Sequence, residues 1–295
     1  MKNSLKHKLE ISSLIGPATI LVTLLFIFPL INFLRTSFSR NIPSGSYDPA
    51  WTFENFVEFF SDPYFLGILW NTIYISIIAT FLTLILAFPI AYLLARANVK
   101  YKGILVGLVV FPLLVGNIVR DVGWIALFSE QGLVNNFLLA IGFINEPATF
   151  LGTPGAVIIA ISNVVLPYMI ISIQSVIERI NPSLEEGAID LGASRWMMMR
   201  TVIFPLAMPG IMAGTLFVFI LSMNAYTTPL IIGGTKVQMM APALYSEITE
   251  VSNWPMGAAM AVILIVLTLI ASVFYLSILE KTTSGNLNSS TEVKG

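Results

Sequence analysis

Between Leu66 and Ala95 the chain runs without a single charged side chain. As a helix that stretch would measure about 45 Å at about 1.5 Å per residue, more than the roughly 30 Å hydrocarbon core of a bilayer. Comparable apolar runs cover about Leu14 to Leu34, Gly103 to the end of "GWIALF", Thr153 to Ile177, Leu206 to Met223 and Gly257 to Leu279. Segments of this kind cross lipid as helices, because each backbone N–H and C=O must find its partner inside the segment. The fold class that follows is an all-α polytopic membrane protein with six transmembrane helices. Hydrophobic residues make up 56% of the 295 positions and charged residues only 11%, well short of the quarter usual in a soluble domain.

The first span is preceded by Lys2, Lys6 and Lys8. Its apolar run exceeds about 15 residues and no A-x-A site follows, so it is expected to be an uncleaved anchor. Residues 1–13 then form an N-terminal segment, 14–279 the membrane domain, and 280–295 a Ser, Thr and Asn-rich tail expected to be disordered. Within the connection 35–65, "FENFVEFFSDPYF" sets Phe53, Phe56, Phe59 and Phe60 at helix-like spacing, suited to lying along the outer surface. The second span is long enough to tilt, with a kink expected near Pro89. The third contains Pro112 and reaches Arg120 and Asp121 before its apolar run ends; "GLVNNFLLAIGF" after it suits a short amphipathic or re-entrant helix.

Charge orients the spans. With both termini inside, the inner segments hold Lys2, Lys6, Lys8, Arg96, Lys100, Lys102, Arg179, Arg195, Arg200, Lys281 and Lys294. The outer segments hold Arg35, Arg40 and Lys236, and Arg120 lies within a span. That asymmetry favours a cytoplasmic location for both termini and for the segment after the fourth span.

Absences narrow the chemistry. A net charge of −1 excludes a basic nucleic-acid binder, and with no Cys there are no thiolate nucleophiles or ligands. His7, in the polar N-terminus, is the only histidine, which excludes histidine catalysis at membrane depth. No G-x-x-x-x-G-K-[ST] run is present, so the chain does not hydrolyse nucleotide by a P-loop. The expectation is a chain with no catalytic residue, metal or cofactor of its own.

The inner segment "NPSLEEGAIDLGASRWMMMRTVIFPLAMPG", Asn181 to Gly210, is the longest charged stretch. Pro182 suits the first turn of a helix with Asn181 as its cap; Ser183 and Glu186 alternatively make a capping box one register later. Leu184, Ala188 and Leu191 form one apolar stripe, and Gly192 ends the helix where a left-handed turn is needed. Ser194 caps a second short helix with Trp196, Met199 and Ile203 on one face, before Pro205 and Pro209 return the chain to the membrane.

Glu186-Gly187-Ala188, then Gly192, then Val202, Phe204 and Pro205 resemble the "EAA" loop of bacterial ABC-importer permeases. The family pattern is E-A-A, three residues, Gly, nine residues, then I-x-L-P. Here Gly187 replaces the second-position Ala, Val202 replaces Ile and Phe204 replaces Leu, with the spacing intact. Gly187 weakens the helix by about 1 kcal/mol relative to Ala. The phrases "TPGAVI", "LPYMI", "ERINPSLEEGAIDLGAS" and "FPLAMPGIMAG" look most like the spermidine/putrescine branch, which also includes permeases for opines, aminoethylphosphonate, ferric iron and thiamine.

The resemblance implies a fold like type I ABC importer permeases, with loop 178–205 a cytoplasmic coupling helix seated on a separate ATPase subunit. It further implies a second homologous permease, two ATP-binding subunits carrying the ATP and Mg, an extracytoplasmic solute-binding protein and a bacterial inner-membrane location. Leu184, Ala188, Leu191 and Trp196 would supply apolar contact and Glu185, Glu186 and Arg195 charge registry, with Gly187, Asp190, Gly192 and Pro205 completing the motif. Glu186 would equally serve to cap its own helix.

For the solute path the polar candidates are Arg120, Asp121, Trp124, Asn163, Asn224, Tyr226 and Thr228. Arg120 and Asp121 are adjacent, hence about 100° apart on a helix, and belong either to the path or to the outer interface. Trp124 suits either an aromatic belt or a cage, and the others suit either helix–helix hydrogen bonds or the solute. Outer segments hold Asp48, Glu54, Glu58, Asp62, Glu130, Glu146, Glu247 and Glu250 against three bases, a mouth that attracts cations. A polyamine is the expected solute, another solute of the branch the alternative. An ion-coupled secondary transporter would leave the cytoplasmic elbow without a purpose, and a membrane enzyme would lack His and Cys at depth.

Overall fold

A computed structural model describes residues 16, 17, 19–42 and 46–291, with side-chain positions for all of these except Ser46, Val99 and 278–291. Leu14, Ile15, the N-terminal lysines and residues 292–295 lie outside the described residues. Packing divides the chain into two units, one of Met1–Leu66 with Ala243–Val266 and one of Gly67–Pro242 with Leu267–Gly295.

The first unit begins with α1 (Thr19–Thr36), apolar all round and unburied, so its surface suits lipid or another chain. A hairpin of β1 (Arg40–Ile42) and β2 (Ser46–Asp48) follows, with Asn41 opposite Tyr47. In α2 (Glu54–Ser61) the buried residues are Asn55 and Phe59, four apart and therefore on one face. The Asn55 amide donates to the Ser37 and Ser39 carbonyls, both at 2.8 Å. Phe59 stacks on Phe65, while Phe53 and Phe60 stay exposed, so the aromatic run divides between packing and surface. The first turn of α3 (Pro63–Ala95) also belongs to this unit.

Most of α10 (Met240–Thr249) and the start of α11 (Trp254–Thr291) complete the first unit. Burial raises the Glu247 carboxyl above the ordinary glutamate range, and the charge of Glu58 adds to the effect. A carboxyl with a raised folded value penalises the fold as pH climbs through that value, and the penalty is absent in acid. Glu247→Gln is therefore expected to raise thermal stability at neutral pH and leave it unchanged well below the ordinary glutamate value. Thermal unfolding in detergent at the two pH values measures the difference.

The second unit is built on α7 (Pro154–Ile177), the most deeply buried of the membrane-length helices. Thr153 caps it, its Oγ1 accepting from the Ala156 N–H, and Pro154 occupies the first turn, where a missing N–H costs nothing. The principal neighbour of α7 is α9 (Arg195–Met223). A Cβ at Gly210 would lie 2.8 Å from Val176 Cγ2, and one at Gly214 2.8 Å from Met169 Sδ. The Gly210-x-x-x-Gly214 spacing thus sets how closely these two helices approach. Small residues do the same on α3, where Ala79, Ala87 and Ala91 are fully buried and Ser162 Oγ of α7 donates to the Ala79 carbonyl at 3.2 Å.

Five described helices are long and apolar enough to cross a membrane, and a sixth span is counted where a bent pair of helices is taken as one. The third span is not continuous as the sequence predicts. α4 (Val99–Leu114) stops, and α5 (Asn117–Phe128) with α6 (Leu133–Ala140) leaves at 93°. Val115 donates to the Pro112 carbonyl, closing the last turn, and Val115 and Gly116 are extended before Asn117 restarts the helix. The buried Asn135 of α6 ties the next loop, accepting from the Ala148 N–H and donating to the Ala148 carbonyl. At the other end of the chain, α11 continues to Thr291, past Glu280 where a disordered tail is expected. No proline follows Pro255, and extending a formed helix is easier than starting one.

Candidate functional site: an elbow between two helices and a polar cavity

After α7 the chain turns at Ile180. Asn181 Oδ1 accepts from the Ser183 N–H at 3.1 Å, and Pro182 is already helical, so Asn181 is the cap of α8 (Ser183–Asp190). At its far end Gly192 has φ +88°. The Gly192 N–H donates to the Ile189 carbonyl and the Ala193 N–H to the Ala188 carbonyl. Those two bonds make a Schellman turn, whose positive-φ position glycine occupies at least cost. Ser194 Oγ then accepts from the Met197 N–H at 3.2 Å and starts α9.

The second arm of the elbow is not a separate short helix as predicted. Arg195 to Met223 is one helix, with a π-helical turn at Met199–Ile203 directly before Pro205. The wider turn relaxes the backbone where Pro205 has no N–H to donate. It also shifts the helical phase. Ile203 and Met198 are buried while Trp196 is 77% exposed, so Trp196 does not share the Ile203 face. Leu191 is 91% exposed, and Leu184, Ile189 and Met197 join it outside, together with Glu186, Asp190, Arg195 and Arg200. Ala188, by contrast, packs against the core that contains Leu94, Ile177 and Ile203.

Glu185 points inward. Its Oε1 accepts from Arg96 Nε at 2.7 Å and lies 2.5 Å from Arg96 Nη2, and its Oε2 accepts from the Tyr92 hydroxyl at 2.7 Å. Nη2 also donates to the Ile180 carbonyl at 3.1 Å. A second ion pair sits beside this one, Lys102 Nζ to Glu178 Oε1 at 2.9 Å. The Gln174 amide, donating to Glu178 at 2.7 Å, and then the Lys102 charge hold the Glu178 carboxyl below the usual range. This contribution to stability is present above the ordinary carboxylate value and lost as acid protonates Glu178.

Deeper in the second unit a cavity of about 340 Å³ opens between α4, α5, α7 and the segment after α9. Asn117, Arg120, Tyr168, Asn224, Tyr226 and Thr228 line it with aliphatic neighbours. Arg120 Nη2 donates to Asn117 Oδ1 at 2.5 Å. Asp121 is fully buried behind this wall and accepts from the Thr228 hydroxyl at 3.0 and 3.3 Å. The arrangement offers hydroxyl, amide, phenol and guanidinium groups to a small polar solute, and no cluster of acids or histidines fit for a metal is found among the described residues.

Residues 64–283 match the family model for the binding-protein-dependent transport system inner membrane component. The chain belongs to this family. The permease is 34% identical to the spermidine/putrescine transport system permease protein PotB of Haemophilus influenzae, over 84% of this chain and 87% of that one. It is 32% identical to PotB of Escherichia coli K12, over 85% and 92%. Among solved structures, it resembles a bacterial ABC transporter that imports the acidic polysaccharide alginate. The TM-score is 0.76 at 20% identity, over 95% of this chain and 98% of that one. The MetNI methionine ABC transporter matches at TM-score 0.57 and 18% identity, over 73% and 94%. The permease is thus an inner-membrane subunit of an ABC importer with the type I importer fold.

In this permease the sequence-derived path residues divide. Arg120, Asn224, Tyr226 and Thr228 meet at the cavity, and Asp121 stands directly behind Thr228. Trp124 is outside the cavity wall and stacks on Phe128 at 5.0 Å beside the core of Val157, Ile161 and Ile232. Asn163 is partly buried and outside the cavity wall. Sequence reasoning missed Asn117 and Tyr168 on that wall, and Tyr92, Arg96 and Glu178 at the elbow. The only trace of the last group was polar residues at the ends of apolar runs, which name no partner.

Proposed function

We infer that the elbow docks on an ATPase subunit and that the permease imports a polyamine such as spermidine or putrescine. The observation that carries the docking reading is the split of α8 and the start of α9 into an inward side and an outward side. Glu185 and Ala188 hold the elbow from within, leaving Leu191, Trp196 and Glu186 in the open for a partner. A second, similar permease completes the pathway, two ATPases hydrolyse ATP with Mg at the inner face, and a solute-binding protein delivers from outside. Both termini lie in the cytoplasm. Rocking of the two permeases then alternates access.

The polyamine reading is supported by the two PotB relatives and by Tyr168 and Tyr226 on the cavity wall. One observation favours a second solute class of the same branch. The Arg120 guanidinium on that wall suits a carboxylate or phosphonate, as in an opine or aminoethylphosphonate. Uptake of labelled spermidine by cells producing the permease with its partner subunits decides between them. The expected result is competition by unlabelled putrescine and none by an opine or aminoethylphosphonate; the reverse pattern replaces the polyamine with the acidic solute.

A further inference from the structure

We propose that Arg96 is the positioning residue that carries movement of the elbow into the second membrane helix, through its ion pair with Glu185. This rests on the docking reading and adds the route that force takes inside this chain. A partner pressing on Leu191 and Trp196 reaches α7 and α9 through the backbone, because the elbow is the connection between them. No backbone link joins it to α3. The lateral link is the Arg96 guanidinium, which joins three elements at once: the end of α3, the Ile180 carbonyl at the exit of α7, and Glu185 on α8. The Tyr92 hydroxyl, one turn back on α3, takes the second carboxylate oxygen.

Position and geometry suit this group to transmission. The Arg96 and Glu185 side chains are only 19% and 11% exposed, so water and salt screen the pair weakly. A guanidinium that donates through Nε to Glu185 Oε1 and through Nη2 to the Ile180 carbonyl is held in two directions at once, whereas the apolar contact of Ala188 beside it lets surfaces slip. α3 extends from this pair to Thr72, whose hydroxyl accepts the Met240 N–H at 2.8 Å near the other end of the unit. Displacement of its inner end is thus felt far from the elbow. The Lys102–Glu178 pair joins α4 only to the exit of α7 and leaves α8 out, which makes it a charge-matched control.

The test reconstitutes the permease with its partner subunits in proteoliposomes and reads solute taken up per ATP hydrolysed. Arg96→Met and the near-isosteric Glu185→Gln are each expected to lower that ratio about tenfold, a typical size for a coupling between sites. Lys102→Met should stay within about twofold, as expected of a partly exposed pair. Exchanging the charges, Arg96→Glu with Glu185→Arg, should raise the ratio above that of either single variant. The proposal is overturned if the ratio stays at the wild-type value in both single variants. It is equally overturned if uptake and hydrolysis fall together with the amount of assembled complex, or if the exchanged pair recovers nothing. A wild-type complex that takes up solute without a nucleotide-hydrolysing partner overturns the docking reading itself, a result distinct from each of these.

Discussion

A tryptophan at Gly192 is expected to leave the permease in the membrane and to abolish ATP-driven uptake. Two effects combine at this position. Gly192 has φ +88°, where any residue with a side chain is strained by about 1–2 kcal/mol. A Cβ there meets no atom of the chain within 4 Å, so a large side chain is not forced into this protein's own core. It projects from the elbow beside Leu191 and Trp196, into the space that the proposed docking partner would occupy. Gly192→Ala then isolates the strain and should cost no more than about thirtyfold in uptake, since about 1.4 kcal/mol is a factor of ten. Gly192→Trp adds the obstruction and should fall to the background of the assay. Glu186→Arg, on the exposed side of α8, is expected to do the same by reversing a charge at the contact. Membrane yield and uptake measured together separate docking from folding, and normal uptake by both Gly192→Trp and Glu186→Arg counts decisively against the docking role.

The second large effect concerns folding. Gly210→Val should destabilise the second unit by about 1–3 kcal/mol or more, the range for overpacking a filled interior. The added Cβ alone lies 2.8 Å from Val176 Cγ2 and 3.0 Å from the Ser172 carbonyl oxygen, so α7 and α9 must separate. Separation also lengthens the bond from Ser172 Oγ to the Gly210 carbonyl, now 3.1 Å. Gly214→Ala should be milder, because its nearest neighbour is the flexible Met169 side chain. Gly107→Ala on α4, where nothing lies within 4 Å, should be neutral or stabilising by up to about 1 kcal/mol through helix propensity. Thermal unfolding of the three variants in detergent should rank them in that order, and equal stability for Gly210→Val and Gly107→Ala disproves the close-packing account.

Several features were legible in the sequence for local reasons. Gly192 was identifiable as a helix stop because the requirement for positive φ lies in the backbone of one residue. Asn181 and Pro182 read as a helix start for the same reason, although the capping box at Ser183 and Glu186 competed with them. The break in the third span was not legible. Pro112, Gly116 and Asn117 each tolerate or weaken a helix, but only the packing of α5 and α6 decides that the chain bends by 93°. The phase of the second arm was lost to one π-turn, which periodicity counted at 3.6 residues per turn does not register.

By itself, the sequence determined the apolar helices, the elbow and the family, since hydrophobicity and turn chemistry act within a segment or along it. Only the tertiary structure decided which polar residues meet. Asp121 turned from its neighbour Arg120 to Thr228, and Glu185 turned from the presumed docking face to Arg96 and Tyr92. Those pairings join residues about ninety to more than a hundred positions apart. A buried polar group takes whichever partner the packed helices bring within reach, and no local rule of the chain specifies that.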